Sequence, residues 1–174
     1  MIMPRGSGQQ LLLPANPIFI AVTLWLAMLA DMVPIGRLPG MPDVLAVMLV
    51  FWGVHQPRRV GIVWAFAFGL AIDVHHGALL GQHALAYGLL SYGAIALHRR
   101  LPGFKPVAQA IHVLPLFIFA HAMTLLARLV MGGMWPGWTL ALAPLFEALL
   151  WPLACLVLLA PQRRAPDRDA HRTL

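Results

Sequence analysis

Almost every charged side chain of this 174-residue chain sits in a gap between apolar runs, and that segregation constrains the fold more than any motif does. The runs extend over about residues 17–33, 42–54, 60–72, 80–97, 107–130 and 139–159. Charged residues make up 10% of the chain and apolar residues 60%, and the mean hydropathy is +0.79. A soluble domain carries about 25% charged residues to solvate its surface. Polar surface is too scarce here for a water-soluble globule. An all-α integral membrane protein is the class that remains, because helices of roughly 20 residues keep their backbone hydrogen bonds internal. Six runs predict a six-span helical bundle over 17–160, preceded by a polar segment at 1–16 and followed by a basic tail at 161–174. The first run superficially fits a secretory signal. Further apolar runs follow it, which favours an uncleaved first span.

The second and third runs fall short of the roughly 17–25 residues usual for a crossing helix. They read as two short spans in a thinned bilayer or as a re-entrant hairpin over residues 42–72, and two spans are favoured. Pro17 suits a first helical turn, Asp43 suits a helix N-terminus, and Pro115 predicts a kink in the fifth span. Cys155, the single cysteine, sits in an apolar run and reads as a buried inert thiol.

A net charge of +6 and a pI near 11.1 would suggest nucleic acid if the chain were soluble. The positions of the charges give a different reading. With six spans, Arg5, Arg58, Arg59, Arg99, Arg100, Lys105, Arg163, Arg164, Arg168 and Arg172 all fall on one side. Only Arg37 and Arg128 fall toward the other. The positive-inside rule then places both termini in the cytoplasm. The basic loops face the lipid bilayer's inner headgroups, and no nucleic-acid partner is expected.

The corner between the third and fourth spans is the most informative stretch. Gly61, Ala65 and Gly69 repeat every four positions, a spacing that lets helix backbones approach closely, and Asp73 continues the series. Asp73 therefore points toward packed protein rather than lipid. An ionisable group at that depth is by default a functional or assembly site. Gly77 permits a tight bend. Gly81, Ala84, Gly88 and Ser91 then mark a second small-residue face, so the third and fourth spans should pack tightly together.

In this topology Asp31, Asp73, Gln82, His83 and Arg128 cluster near the outer face. Asp73–Arg128 is the preferred ion pair, with Asp31–Arg128 as its competitor, and the sequence does not separate them. Glu147 lies roughly 13 Å inside the sixth span at 1.5 Å per residue. His121 lies at a comparable depth in the fifth, which predicts a Glu147–His121 hydrogen bond. His75, His76 and His83 beside Asp73 lack the ligand spacing of a known metal site, so neither metal nor cofactor is expected. No Ser-His-Asp set, phosphate loop or carboxylate pair offers a carrier for catalysis.

One pattern of residues resembles a known family. Gly69-Leu70-x-x-Asp73-x-x-x-Gly77-x-x-Leu80-Gly81-x-x-Ala84-Leu85 is similar to the most recognisable segment of the rod shape-determining protein MreD family. Phe51-Trp52 followed by Pro57-Arg58-Arg59, Gln109 after the second basic loop, and Glu147-x-x-Leu150-Trp151-Pro152 agree with it in order. The resemblance covers about residues 38–160; Phe51 stands where tyrosine is common, and the outer loops match poorly.

It implies a non-enzymatic subunit of the bacterial inner membrane that binds the periplasmic scaffold MreC. It also implies work alongside MreB, RodA and the elongation transpeptidase in cell-shape control and lateral peptidoglycan synthesis. A bundle resembling the substrate-binding subunits of energy-coupling-factor transporters is implied as well. In that frame Asp73, Arg128, Gly69, Gly77, Gly81 and Gln82 are the candidate partner-binding or assembly residues, and Glu147, His121 and Asp31 the buried polar set. The alternative is a small-molecule-binding or transporter subunit, suggested by Glu147, His121 and the outer polar cluster.

Overall fold

The computed structural model describes residues 15–33 and 40–162. Residues 1–14, the loop residues 34–39 with Arg37, and the basic tail from Arg163 lie outside the described residues. The described residues form six α-helices and no strand. Helix α1 is Pro17–Met32, opened by Asn16, whose Oδ1 accepts the Ile18 N–H at 2.9 Å, with Pro17 in the first turn. Helix α2 is Val44–His55, capped as expected by Asp43, whose Oδ1 accepts the Ala46 N–H at 2.7 Å. Helix α3 is Ile62–His76, α4 is Gln82–Leu97, α5 is Pro106–Val130 with Pro115 inside it, and α6 is Ala143–Leu159.

Two boundaries differ from the apolar pattern. Helix α3 continues past Ile72 to His76 and stops only where Gly77 takes a left-handed φ of 59°. Residues Trp138–Leu142 wind as a 3-10 helix, so the α-helical part of the last run begins at Ala143.

Helix α2 is the middle of the molecule. It is apolar all round, which a helix tolerates only when neighbours enclose it. Leu45, Leu49, Val50, Phe51 and Trp52 are completely buried. It packs against α1, α4 and α6, while α3 packs on α4, α4 on α5 and α5 on α6. Phe51 meets Trp52 edge-on, with centroids 5.0 Å apart, and Trp151 at 6.1 Å. Trp52 Nε1 donates to Thr23 Oγ1 at 3.0 Å and ties α2 to α1.

Small residues set the helix spacing. A Cβ on Gly69 would lie 2.6 Å from the Ala84 backbone nitrogen, so α3 and α4 touch backbone to backbone there. Gly88 faces Ile62 and Phe66 at ordinary contact distance, and a Cβ on Gly53 would meet Ala94 Cβ at 3.0 Å. The two small-residue faces are each shorter than the spacing suggests. Gly61 precedes the first residue of α3 in extended conformation, and Gly81 precedes α4 at a φ of 102°. Neither has a neighbour within 4 Å of an added Cβ, because the helical period does not extend into a turn.

Helix α5 and the continuous 25-residue helical stretch Trp138–Gln162 are each long and apolar enough to cross a membrane. The 12 residues of α2 and 15 of α3 give about 18 and 22 Å at 1.5 Å per residue, against a hydrocarbon core of roughly 30 Å. The outward faces of the peripheral helices carry large exposed apolar side chains: Ile18, Leu26 and Leu29 on α1, Ile111, Phe119 and Leu126 on α5, Leu149, Leu153 and Val157 on α6. Apolar surface of that continuity marks a membrane or protein contact.

Candidate assembly site at the carboxylate-braced end

The N-termini of α2, α4 and α6 lie at the same end of the bundle as the C-termini of α1, α3 and α5. Each helix N-terminus presents backbone N–H groups with no intrahelical acceptor. A carboxylate late in a helix is disfavoured by its own helix dipole and favoured by the positive end of the next. Asp31, next to last in α1, does this for α2: its Oδ1 accepts from Val44 N at 3.1 Å and its Oδ2 from Leu45 N at 2.7 Å.

Asp73 does the same for α4. The side chain is completely buried in protein, as the small-residue series predicted. Its Oδ2 accepts from Gly81 N at 2.9 Å and Ala84 N at 3.3 Å, and its Oδ1 from His83 N at 2.9 Å and His83 Nδ1 at 2.7 Å. The turn makes this reach possible. Gly77 reverses the chain in left-handed conformation, the Ala78 N–H returns to Asp73 O at 2.9 Å, and Gly81 turns back into α4. Gln82 opens α4 and is half-buried.

The Asp73–Arg128 pair does not form, and neither does Asp31–Arg128. Arg128 is exposed in the last turn of α5, folded against Gly133, while both aspartates spend their oxygens on backbone N–H groups. Among the described residues, the side-chain contacts between a carboxylate and a basic group are Asp73–His83 and Glu147–His121. A cation in the last turn of α5 is stabilised by that helix's own dipole and needs no aspartate.

The expected Glu147–His121 contact is present at 2.6 Å. Glu147 Oε1 also accepts the Asp43 N–H at 3.0 Å. Tyr87 from α4 donates its hydroxyl to Asp43 Oδ2. One connected set therefore joins α2, α4, α5 and α6 through Asp43, Tyr87, His121 and Glu147. A small cavity of about 40 Å³ lies among these four with His83 and Thr124. Glu147 is completely buried, and its Oε2 has no partner among the described residues.

Tyr87 was not among the residues the sequence singled out, because an aromatic inside an apolar run reads as core. Asp31 was singled out for the wrong partner. The available signal was its place in a helix's last turn, where a carboxylate needs N–H donors from another element. The remaining histidines take ordinary places: His75 Nε2 lies 3.1 Å from Met32 O, linking the ends of α3 and α1. Toward the opposite end, Gln109 accepts from Trp151 Nε1 at 3.1 Å and donates to Phe104 O at 3.0 Å, fixing α5 to α6.

The arrangement holds helices in place. Asp31, Asp43 and Asp73 have both oxygens engaged as hydrogen-bond acceptors, which favours rigidity. A helical bundle with an apolar exterior, carboxylates turned inward against helix ends and two helices long enough to cross a bilayer has the character of a membrane protein. The rod shape-determining protein MreD family model matches residues 10–159, so the chain belongs to that family. It is also 25% identical over 131 residues to the rod shape-determining protein MreD of Haemophilus influenzae, covering 75% of this chain and 81% of that protein. No solved structure matches the chain.

Proposed function

We propose that this chain is a non-enzymatic component of the bacterial inner membrane's elongation complex that binds MreC and helps control cell shape and lateral peptidoglycan synthesis. The observation that carries the reading is the family match over residues 10–159. The braced end supports it, since committed carboxylates suit a rigid docking platform. In this reading all six helices cross the bilayer, α2 and α3 where it is thinned. The same reading expects a bundle like that of the substrate-binding subunits of energy-coupling-factor transporters.

Arg58, Arg59, Arg99, Arg100 and Lys105 occupy the two turns at the end opposite the carboxylates, which supports cytoplasmic termini. The carboxylate-braced end, with exposed Trp135 and Trp138 in edge-to-face contact 5.5 Å apart, then faces the periplasm. There Arg128 and Gln82 are accessible to MreC, while Gly69, Gly77, Gly81 and Asp73 hold the corner that presents them. MreB, RodA and the elongation transpeptidase are reached through the complex.

Co-purification of tagged MreC with the full chain from membranes tests the reading. Wild-type protein should recover MreC, Arg128→Ala should lower recovery at unchanged thermal stability, and Asp73→Ala should lower both. A folded wild-type chain that recovers no MreC would refute it. The solute-binding alternative has the polar cavity in its favour, but about 40 Å³ holds a water rather than a ligand needing roughly 300–1,000 Å³. A thermal shift on adding a candidate solute would favour that alternative.

A further inference from the structure

Helices α1 and α3 touch only sparsely, and an apolar groove of about 370 Å³ runs between them. Ile20, Leu24 and Trp25 line it from α1, and Val60, Trp64 and Phe68 from the α3 side. Its mouth is cationic: Arg59 borders it, with Arg58 exposed beside it. Its deep end is closed by the edge-to-face contact of Trp25 with Phe68, centroids 6.0 Å apart. From Pro17 to Trp25 the groove is about 12 Å long at 1.5 Å per residue.

We propose that this groove binds one anionic phospholipid, its acyl chain lying between α1 and α3 and its phosphate meeting Arg59. Three observations select that occupant. The lining is aliphatic and aromatic with a single cation at one end, the polarity of an amphiphile with an anionic head. Arg59 Nη1 donates to Ala15 O at 2.6 Å, which fixes the side chain at the mouth while the guanidinium retains further N–H donors for phosphate. The carboxylates among the described residues belong to the opposite end of the bundle, so none of them neutralises the arginines. A transmembrane helix, about 10–12 Å across, would be stopped by the Trp25–Phe68 contact instead of running along the groove. The proposal needs only that the chain lies in a bilayer, and it stands or falls independently of MreC binding.

The test is native mass spectrometry of the full chain purified in mild detergent with equal amounts of phosphatidylglycerol and phosphatidylcholine carrying the same acyl chains. The wild type should retain one phosphatidylglycerol per chain in preference to phosphatidylcholine. Arg59→Gln, at an exposed side chain, should reduce that retention about fivefold, the worth of one basic residue at an anionic lipid surface. Ala21→Phe, which fills the groove from an exposed position on α1, should abolish retention of either lipid, and Arg100→Gln in the other basic turn should change nothing. Equal retention of the two lipids by the wild type, or no effect of Arg59→Gln, would overturn the proposal. So would Ala21→Phe keeping its lipid.

Discussion

Asp73 shows what a buried carboxylate in a membrane bundle requires. Removing it from water is costly unless its oxygens are engaged. Three backbone N–H groups and one imidazole meet that requirement. Replacing it with alanine leaves those donors unpaired, and we expect Asp73→Ala to destabilise the folded protein by about 2–4 kcal/mol, read as a lowered Tm in detergent. Asp73→Asn keeps a carbonyl acceptor and should lose less. Gly61, just before α3, and Gly69, inside it, make a second contrast at this scale. Gly69→Ala must push α3 off Ala84 and should cost about 1–3 kcal/mol. Gly61→Ala, with no neighbour within 4 Å, should stay within about 0.5 kcal/mol in the same assay.

At the scale of elements, the repeated device is a helical hairpin closed by a carboxylate. Asp31 at the end of α1 binds the start of α2, and Asp73 near the end of α3 binds the start of α4. The α5–α6 hairpin is closed deeper, by His121 and Glu147. A double-mutant cycle on that pair should give a coupling of about 0.5–3 kcal/mol in thermal unfolding. Much of this was legible from residue order. Counting the helical rise placed His121 beside Glu147, the position of Asp43 before an apolar run marked a cap, and the four-residue series put Asp73 on a packed face. Its partner was not legible. Backbone N–H groups are present whatever the side chains are, so Gly81, His83 and Ala84 gave no sign that they would outcompete Arg128. That outcome was decided by the turn at Gly77 and Gly81, whose geometry a residue pattern indicates only loosely.

For the whole molecule, the composition already excluded a soluble globule, and the structure shows where the apolar surplus goes. Part of it encloses α2, and the rest covers the outer faces of α1, α5 and α6. The sequence left open whether residues 42–72 form two spans or a hairpin, since both runs are short. The structure makes α2 the most enclosed helix and α3 a peripheral one, packed on α4 through Gly69.

The proposed function rests on the two ends of this bundle facing opposite sides of the membrane, carboxylates toward the periplasm and arginine turns toward the cytoplasm. Cysteine accessibility measures this most directly, in a Cys155→Ser background that removes the single native thiol. In intact cells a membrane-impermeant maleimide should label Met134→Cys, in the turn between α5 and α6. Arg58→Cys and Phe104→Cys, in the basic turns, should label only after the membrane is permeabilised. Labelling of all three from outside, or of the basic turns alone, would contradict the account.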